Sequence, residues 1–329
     1  MERTTRSWRV ATTAALLAAT VTASLTGCTG GRDGGASRPA IDDGRGTDQR
    51  QEQTPSAAPV GSVLAVKIDN ASAARPQTGL NSADVVYTEQ VEGGLSRLMA
   101  VYATKLPKTV GPVRSARESD LELLRQFDHP ILAFSGAQRK LLPLIDKAPL
   151  EAMPPGKVSG AYYRGTDKSA PHNLYLRPGE LLPTAPGPAA LTTGFQYGDA
   201  PEGGRAEASR TVRYPATRFT FTWSGSRHRY LVAMDGTPTV TTDGKPVTPA
   251  TVVVQYVNVR KSGFRDFLGN NTPYTETVGS GKAQVLRDGR TYDVRWKREK
   301  ATDGTKFTTG DGKQVNFARG QVWVVFAKA

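Results

Sequence analysis

The sequence predicts a mixed α/β (α+β) N-terminal domain followed by a smaller, mostly antiparallel β C-terminal domain. Two observations carry this expectation. In the first half, apolar runs bounded by turn residues alternate with short stretches of helical spacing. From Arg218 onward, short alternating runs are punctuated by five Asp-Gly pairs, beginning at Asp235, Asp243, Asp288, Asp303 and Asp311. A third observation limits the fold: Cys28 is the one cysteine of 329 residues, so no disulfide framework or cysteine-rich metal site organises it.

The chain opens with a basic segment, Met1 to Arg9, and an apolar run, Val10 to Leu25, too short to span a bilayer comfortably. That run ends in Leu25-Thr26-Gly27-Cys28, which resembles the lipobox of bacterial lipoproteins. Small residues at Thr26 and Gly27 let a peptidase hold the chain extended, while the Cys28 thiol accepts a diacylglyceryl group. Buried acyl methylenes then anchor the chain at about 0.8 kcal/mol each. Residues 1–27 therefore read as a lipoprotein signal peptide; a secretory signal with a chance cysteine or an uncleaved anchor helix are the alternatives. Thr29 to Pro59 has no hydrophobic period and is rich in Gly, Asp, Arg, Ser, Gln and Pro. Residues 28–60 thus form a tether, with a root-mean-square reach of roughly 30 Å. The expected location is the extracytoplasmic face of the cell membrane, with membrane lipid as a partner through acylated Cys28.

The first folded domain is expected over residues 61–207. Val63 to Ile68 reads as a buried strand ending at Asp69-Asn70. Ala83 to Glu92 and Leu95 to Thr104 read as a hairpin turning at Gly93-Gly94. Ser119 to Phe127 has helical spacing, with Ser119 as N-cap and Glu122 completing a capping box. A strand at Pro130 to Phe134, a helix at Gln138 to Ile145, an extended segment at His172 to Leu176 and a short helix opened by Pro178 follow. Leu182 to Thr217 reads as a linker or long loop. In the second domain, residues 208–329, strands are expected at Phe219 to Trp223, Arg229 to Ala233, Thr251 to Val259, Ala283 to Leu286, Tyr292 to Trp296 and Gln321 to Phe326.

Lys and Arg total 43 against 30 Asp and Glu, a formal charge of +13. The leader removes two of those positive charges, through Arg3, Arg6 and Arg9 less Glu2. Outside a cell, such a surface meets anionic headgroups and wall polymers; nucleic acid is not the expected partner at that address. The charge also serves plain solubility. His129, His172 and His228 lie in distant segments, so no metal is expected, and no cofactor motif is present.

Three segments could carry chemistry. A two-residue turn at Gly93-Gly94 would set Gln90 opposite Arg97, with Val85, Tyr87, Glu89, Val91 and Leu98 on one face. Glu89 would then be a carboxylate among apolar neighbours, with a raised pKa unless a cation sits close by. Glu89 or Glu92 reads either as a general acid or base, or as the ion-pair partner of an arginine. Arg114 and Arg117, in Gly111-Pro112-Val113-Arg114-Ser115-Ala116-Arg117, precede a helix, where its dipole disfavours cations. Either an anion binds there, or the arginines pair with internal carboxylates such as Glu89, Glu92 or Asp120. In Pro171-His172-Asn173, consecutive residues of an extended segment point to opposite faces. His172 reads as a proton shuttle or as a structural hydrogen-bonding residue.

These segments resemble the YerB-like lipoprotein family of Gram-positive bacteria, a domain of unknown function with N-terminal and C-terminal parts. The resemblance rests on Asp69-Asn70, Ala74-Arg75-Pro76-Gln77, Gly79-Leu80, Ala83-Asp84-Val85-Val86-Tyr87, Glu92-Gly93-Gly94, Arg97, the Gly111 to Arg117 run, Ser135-Gly136 and Pro171 to Tyr175. Runs around Val252 to Val259, Val278 to Gly281, Trp296 and Gly320 to Trp323 extend it through the second half. The resemblance implies a lipoprotein with an α/β N-terminal domain and a smaller β-rich one, and it implies no activity. Two functions remain open. One is binding of an anionic cell-wall polymer or envelope protein through Arg75, Arg97, Arg114, Arg117 and Asn173. The other is an envelope hydrolase or transferase, with Glu89, Glu92 and His172 in acid–base roles and the arginines clamping an anion.

Overall fold

The computed structural model describes residues 61–266 and 268–329. The leader, Cys28 and the tether lie outside the described residues.

The strands in chain order are β1 (Leu64–Asp69), β2 (Val85–Gln90), β3 (Ser96–Tyr102), β4 (Ile131–Ala133), β5 (Glu151–Met153), β6 (Tyr162–Arg164), β7 (Leu174–Leu176) and β8 (Gln196–Tyr197). They continue with β9 (Arg205–Ala206), β10 (Ser209–Arg213), β11 (Arg218–Ser224), β12 (Arg229–Met234), β13 (Thr237–Pro238), β14 (Thr251–Val257) and β15 (Val259–Arg265). The last are β16 (Asn271–Thr275), β17 (Gly279–Arg287), β18 (Arg290–Arg298), β19 (Lys306–Thr308), β20 (Asn316–Phe317) and β21 (Val322–Lys328). The described part has two α-helices, α1 (Glu118–Leu124) and α2 (Leu142–Lys147). The molecule is therefore mostly β. The expected α/β texture of the first half reduces to one short crossover helix, α2, between the parallel neighbours β4 and β5, with α1 ahead of them.

An 11-stranded sheet forms the centre, in the order β19-β18-β17-β14-β21-β2-β3-β1-β4-β5, with β9 pairing β18. Strands β1, β2, β4, β5, β14, β18 and β21 run in one direction. The sheet crosses the expected boundary at residues 207 and 208: β21, the last strand, lies between β14 and β2. Alternation divides its side chains between two cores. One face, with Leu64, Val66, Ile68, Val86, Leu98 and Trp323, packs against Phe219, Phe221 and Tyr230 of the sheet β10-β11-β12-β13. The other, with Ala65, Tyr87, Met99, Val101 and Val324, packs under Leu123 and Leu124 of α1 and Ile145 of α2.

Two expectations of local structure are corrected. Gly93-Gly94 is not a two-residue turn: Glu92–Gly94 forms a 3₁₀ turn, and Val91 N–H donates to Leu95 O at 2.8 Å. The longer loop shifts the register, so Glu89 faces Arg97 and Gln90 faces Ser96. Helix α1 begins at Glu118 rather than after Ser119. Arg117 is its N-cap, and the Asp120 carboxylate accepts the Arg117 N–H at 2.7 Å. The Asp-Gly reading holds where strands meet directly: Asp288-Gly289 joins β17 to β18, and all four residues of the 235–236 and 288–289 pairs have positive φ. Between Leu182 and Thr217, expected as linker, the short strands β8, β9 and β10 dock on neighbouring strands.

Candidate functional site

The carboxyl ends of β1 and β2 turn a hydrophobic row into a charged one. On the α1 face, Val63 and Ala65 give way to Lys67 and Asp69, and Val85 and Tyr87 give way to Glu89. Arg97, the second residue of β3, lies between them, opposite both Asp69 and Glu89. Strand alternation thus gathers two carboxylates, a lysine and a guanidinium under the start of α1, where open sheets characteristically hold ligands.

The deepest group was not among the sequence candidates. Lys67 is fully buried and ion-paired to Glu89 and to Asp120, the latter at 2.6 Å. Ser119 Oγ donates to Glu89 Oε2 at 2.7 Å. Burial pushes the Glu89 pKa up, but the Lys67 ammonium and the Ser119 hydroxyl outweigh it and hold the carboxylate below its usual range. Asp120 goes the other way: burial, aided by the Glu89 charge, raises it to about 6 despite Lys67. One cation neutralises one of the two carboxylates, and Asp120 is the one that keeps a proton longest.

Above this network lies a partly open cluster. Asp69 Oδ2 accepts from His172 Nδ1 at 2.8 Å and lies 3.2 Å from Arg114 Nε. Arg117 donates to Glu92 Oε2 at 2.7 Å, and Thr272 Oγ1 donates to Glu92 Oε1 at 2.6 Å. Burial raises the Glu92 pKa, but the Arg117 contact overrides it and the net shift is down. Arg97 sits between the two groups and donates to Ser115 O at 3.0 Å. Among the described residues it has no carboxylate within ion-pair distance. Burial, followed by repulsion from Arg117, lowers its pKa to about 10, so it stays charged at neutral pH. Nearby, a cleft of about 280 Å³ has Arg117 and Arg265 and the carboxylates Glu92, Glu118 and Asp266 in its lining, while Arg97 and Arg114 lie outside it.

The predicted residues therefore separate into groups. Glu92, Arg97, Arg114, Arg117 and His172 converge. Glu89 belongs to the sealed layer beneath them, and the exception to its expected upward shift applies, because Lys67 supplies the nearby cation. His172 and Asn173 lie in a turn ahead of β7, not on the extended segment expected there, and Asn173 serves other partners: its Oδ1 accepts from Arg164 at 2.7 Å and its Nδ2 donates to Gly165 O. Arg75 pairs with Asp235 at 2.8 Å and donates to Asn70 O, beside a different groove. Sequence reading missed Lys67 and Asp69 as site groups, and offered Asp120 as a partner of an arginine where it pairs with Lys67. A lysine inside the apolar run Val63 to Ile68 was the available signal, since a buried lysine needs a carboxylate partner.

Comparison with known proteins places the chain. Residues 48–189 match the family described as Protein of unknown function (DUF3048) N-terminal domain, and residues 210–324 match its C-terminal domain. The Bacillus subtilis (strain 168) protein named "Putative lipoprotein YerB" is 27% identical over 285 residues, covering 79% of this chain and 80% of that protein. The crystal structure of the YerB protein from Bacillus subtilis has the same fold, with a TM-score of 0.68 over 82% of this chain and 91% of that one, at 22% identity. With both family domains matched in order along most of its length, this chain belongs to the YerB-like family of unknown function, DUF3048.

Proposed function

We propose that the chain is a lipid-anchored protein of the extracytoplasmic membrane face that binds an anionic ligand of the cell envelope at Arg97, Arg114 and Arg117, entering through the cleft that Arg117 lines. The observation that carries the binding reading is the pairing of the three guanidinium groups: Arg114 pairs with Asp69 and Arg117 with Glu92, and Arg97 has no carboxylate within ion-pair distance among the described residues. Arg97 is the unmatched one, and an anion beside it would relieve its repulsion with Arg117. The excess of Lys and Arg over the whole chain steers anions in the same sense. The anchor rests on the leader and the Leu25 to Cys28 motif, and the name of the Bacillus subtilis relative agrees with it.

Two experiments test the two parts. Cys28→Ser is expected to move the protein from the membrane fraction to the soluble one; unchanged fractionation contradicts the anchor. Arg97→Met is expected to weaken binding of polyglycerol phosphate about tenfold or more by titration calorimetry, the worth of one charge-assisted hydrogen bond. Equal affinity removes Arg97 from the site.

The Asp69–His172 pair favours a second reading, an envelope hydrolase or transferase. The carboxylate fixes the imidazole through Nδ1 and leaves Nε2 as the working nitrogen on a side chain that is 23% exposed. In that reading His172 carries the acid–base work. Glu89 and Glu92 are held ionised by Lys67 and Arg117, so neither is poised as a proton donor at neutral pH.

A further inference from the structure

The cleft that Arg117 lines has the opposite electrical sense from the arginine cluster. Its lining carries three carboxylates, Glu92, Glu118 and Asp266, against two guanidinium groups, Arg117 and Arg265. Two of the carboxylates are occupied. Glu92 is held by Arg117 and Thr272. Asp266 caps its own turn, accepting from Leu268 N–H at 2.9 Å, Asn270 N–H at 2.8 Å and Asn270 Nδ2 at 3.0 Å. Glu118 is different. Its Oε2 is buried with no hydrogen-bond partner, and among the described residues no cation lies within ion-pair distance of it. Arg260, whose charge reaches it, is itself paired with Glu276 at 2.7 Å, and burial raises the Glu118 pKa. The helix dipole accounts for an acidic residue at the first position of α1, but one facing bulk water would serve it as well. Next to Glu118, Arg117 Nε is likewise buried without an acceptor, while its other nitrogens are taken by Ser115 O, Ala116 O and Glu92.

We propose that the ligand is dipolar: an anion seated at the arginines that also carries a primary ammonium group, which Glu118 receives in the cleft. The inference rests on the anion-binding reading and names the class of ligand within it. An anion alone would pass three carboxylates and leave Glu118 unpaired. A cation alone would leave Arg97 without a counter-charge. A ligand with both ends satisfies both, through two charge-assisted contacts of opposite sign.

The test compares two phosphate monoesters on the full-length protein by titration calorimetry: O-phosphoethanolamine and n-propyl phosphate, which has a methyl group in place of the ammonium. At about pH 8 both phosphates are dianions, since the second phosphate pKa is about 6. The wild type is expected to bind phosphoethanolamine about tenfold more tightly, the worth of one charge-assisted hydrogen bond. Glu118→Gln is expected to cut that preference to about twofold or less, as loss of the charged acceptor requires. Arg97→Met is expected to weaken both esters and keep the preference. Equal wild-type affinity for two esters that do bind overturns the ammonium subsite and leaves the anion site standing. Binding of neither overturns both. An undiminished preference in folded Glu118→Gln protein also overturns the proposal, and the wild-type comparison decides it should that variant fail to fold.

Discussion

At the scale of single residues, the site is decided by Lys67. An ammonium with no exposure at the centre of a sheet is tolerable only because Glu89 and Asp120 close on it, and removing one member of such a set typically costs about 3–5 kcal/mol. The sequence places Lys67 in an apolar run, and the residues that neutralise it come from 22 and 53 positions away. No local pattern encodes those separations, which is why Glu89 was legible as a buried carboxylate and the sign of its shift was not. Asp120 supplies a pH signature. Its folded pKa, about 6, lies above its ordinary 3.8, so the folded state binds its proton more tightly than the unfolded chain. The stabilisation it gives is complete below 3.8 and is lost as pH rises through about 6. Urea unfolding of wild type and Asp120→Asn across pH 4 to 7 is expected to show the difference in stability moving in the variant's favour over that window and levelling off above it. A difference independent of pH contradicts the assignment.

At the scale of elements, turn chemistry was legible where two strands meet over two residues and was misread where the loop was longer. Asp288-Gly289 fits because both positions take positive φ, and Gly289 also lies against the Trp223 indole, with 2.8 Å from the position of an added Cβ to Trp223 Cδ1. Gly289→Ala is accordingly expected to destabilise by about 2 kcal/mol or more, from the left-handed backbone and the contact together, as measured by denaturant unfolding. A loss below a few tenths would mean that the turn is not held as described. At Gly93-Gly94 the glycines are equally real turn residues, but Val91 and Leu95 join the loop. One residue of register then moves Arg97 onto the Glu89 face. That single shift takes Arg97 from its expected place opposite Gln90 and puts it between Asp69 and Glu89. His172 and Asn173 do face different partners, but from a turn ahead of β7 rather than from the extended segment the sequence suggested.

At the scale of the whole molecule, the two family-matched segments share a sheet. β21 carries Val322, Trp323, Val324 and Val325 between β14 and β2, closing a ladder that no single segment of the sequence announces. The turn count and apolar runs made the β content visible, whereas the parallel joining of β2 to the last strand depends on contacts more than 230 residues apart, such as Trp323 Nε1 donating to Thr88 Oγ1 at 2.7 Å. That shared sheet holds β1, β2 and β3 in the register that brings Asp69, Glu89 and Arg97 side by side, and it sets the excess guanidinium beside the cleft. The most direct measurement of the central claim is anomalous diffraction from crystals of the protein soaked in tungstate, an oxyanion that mimics phosphate. A tungsten peak within hydrogen-bond reach of Arg97 and of Arg114 or Arg117, absent in Arg97→Met crystals, is the predicted result. Full occupancy elsewhere with none at the arginine cluster would contradict it.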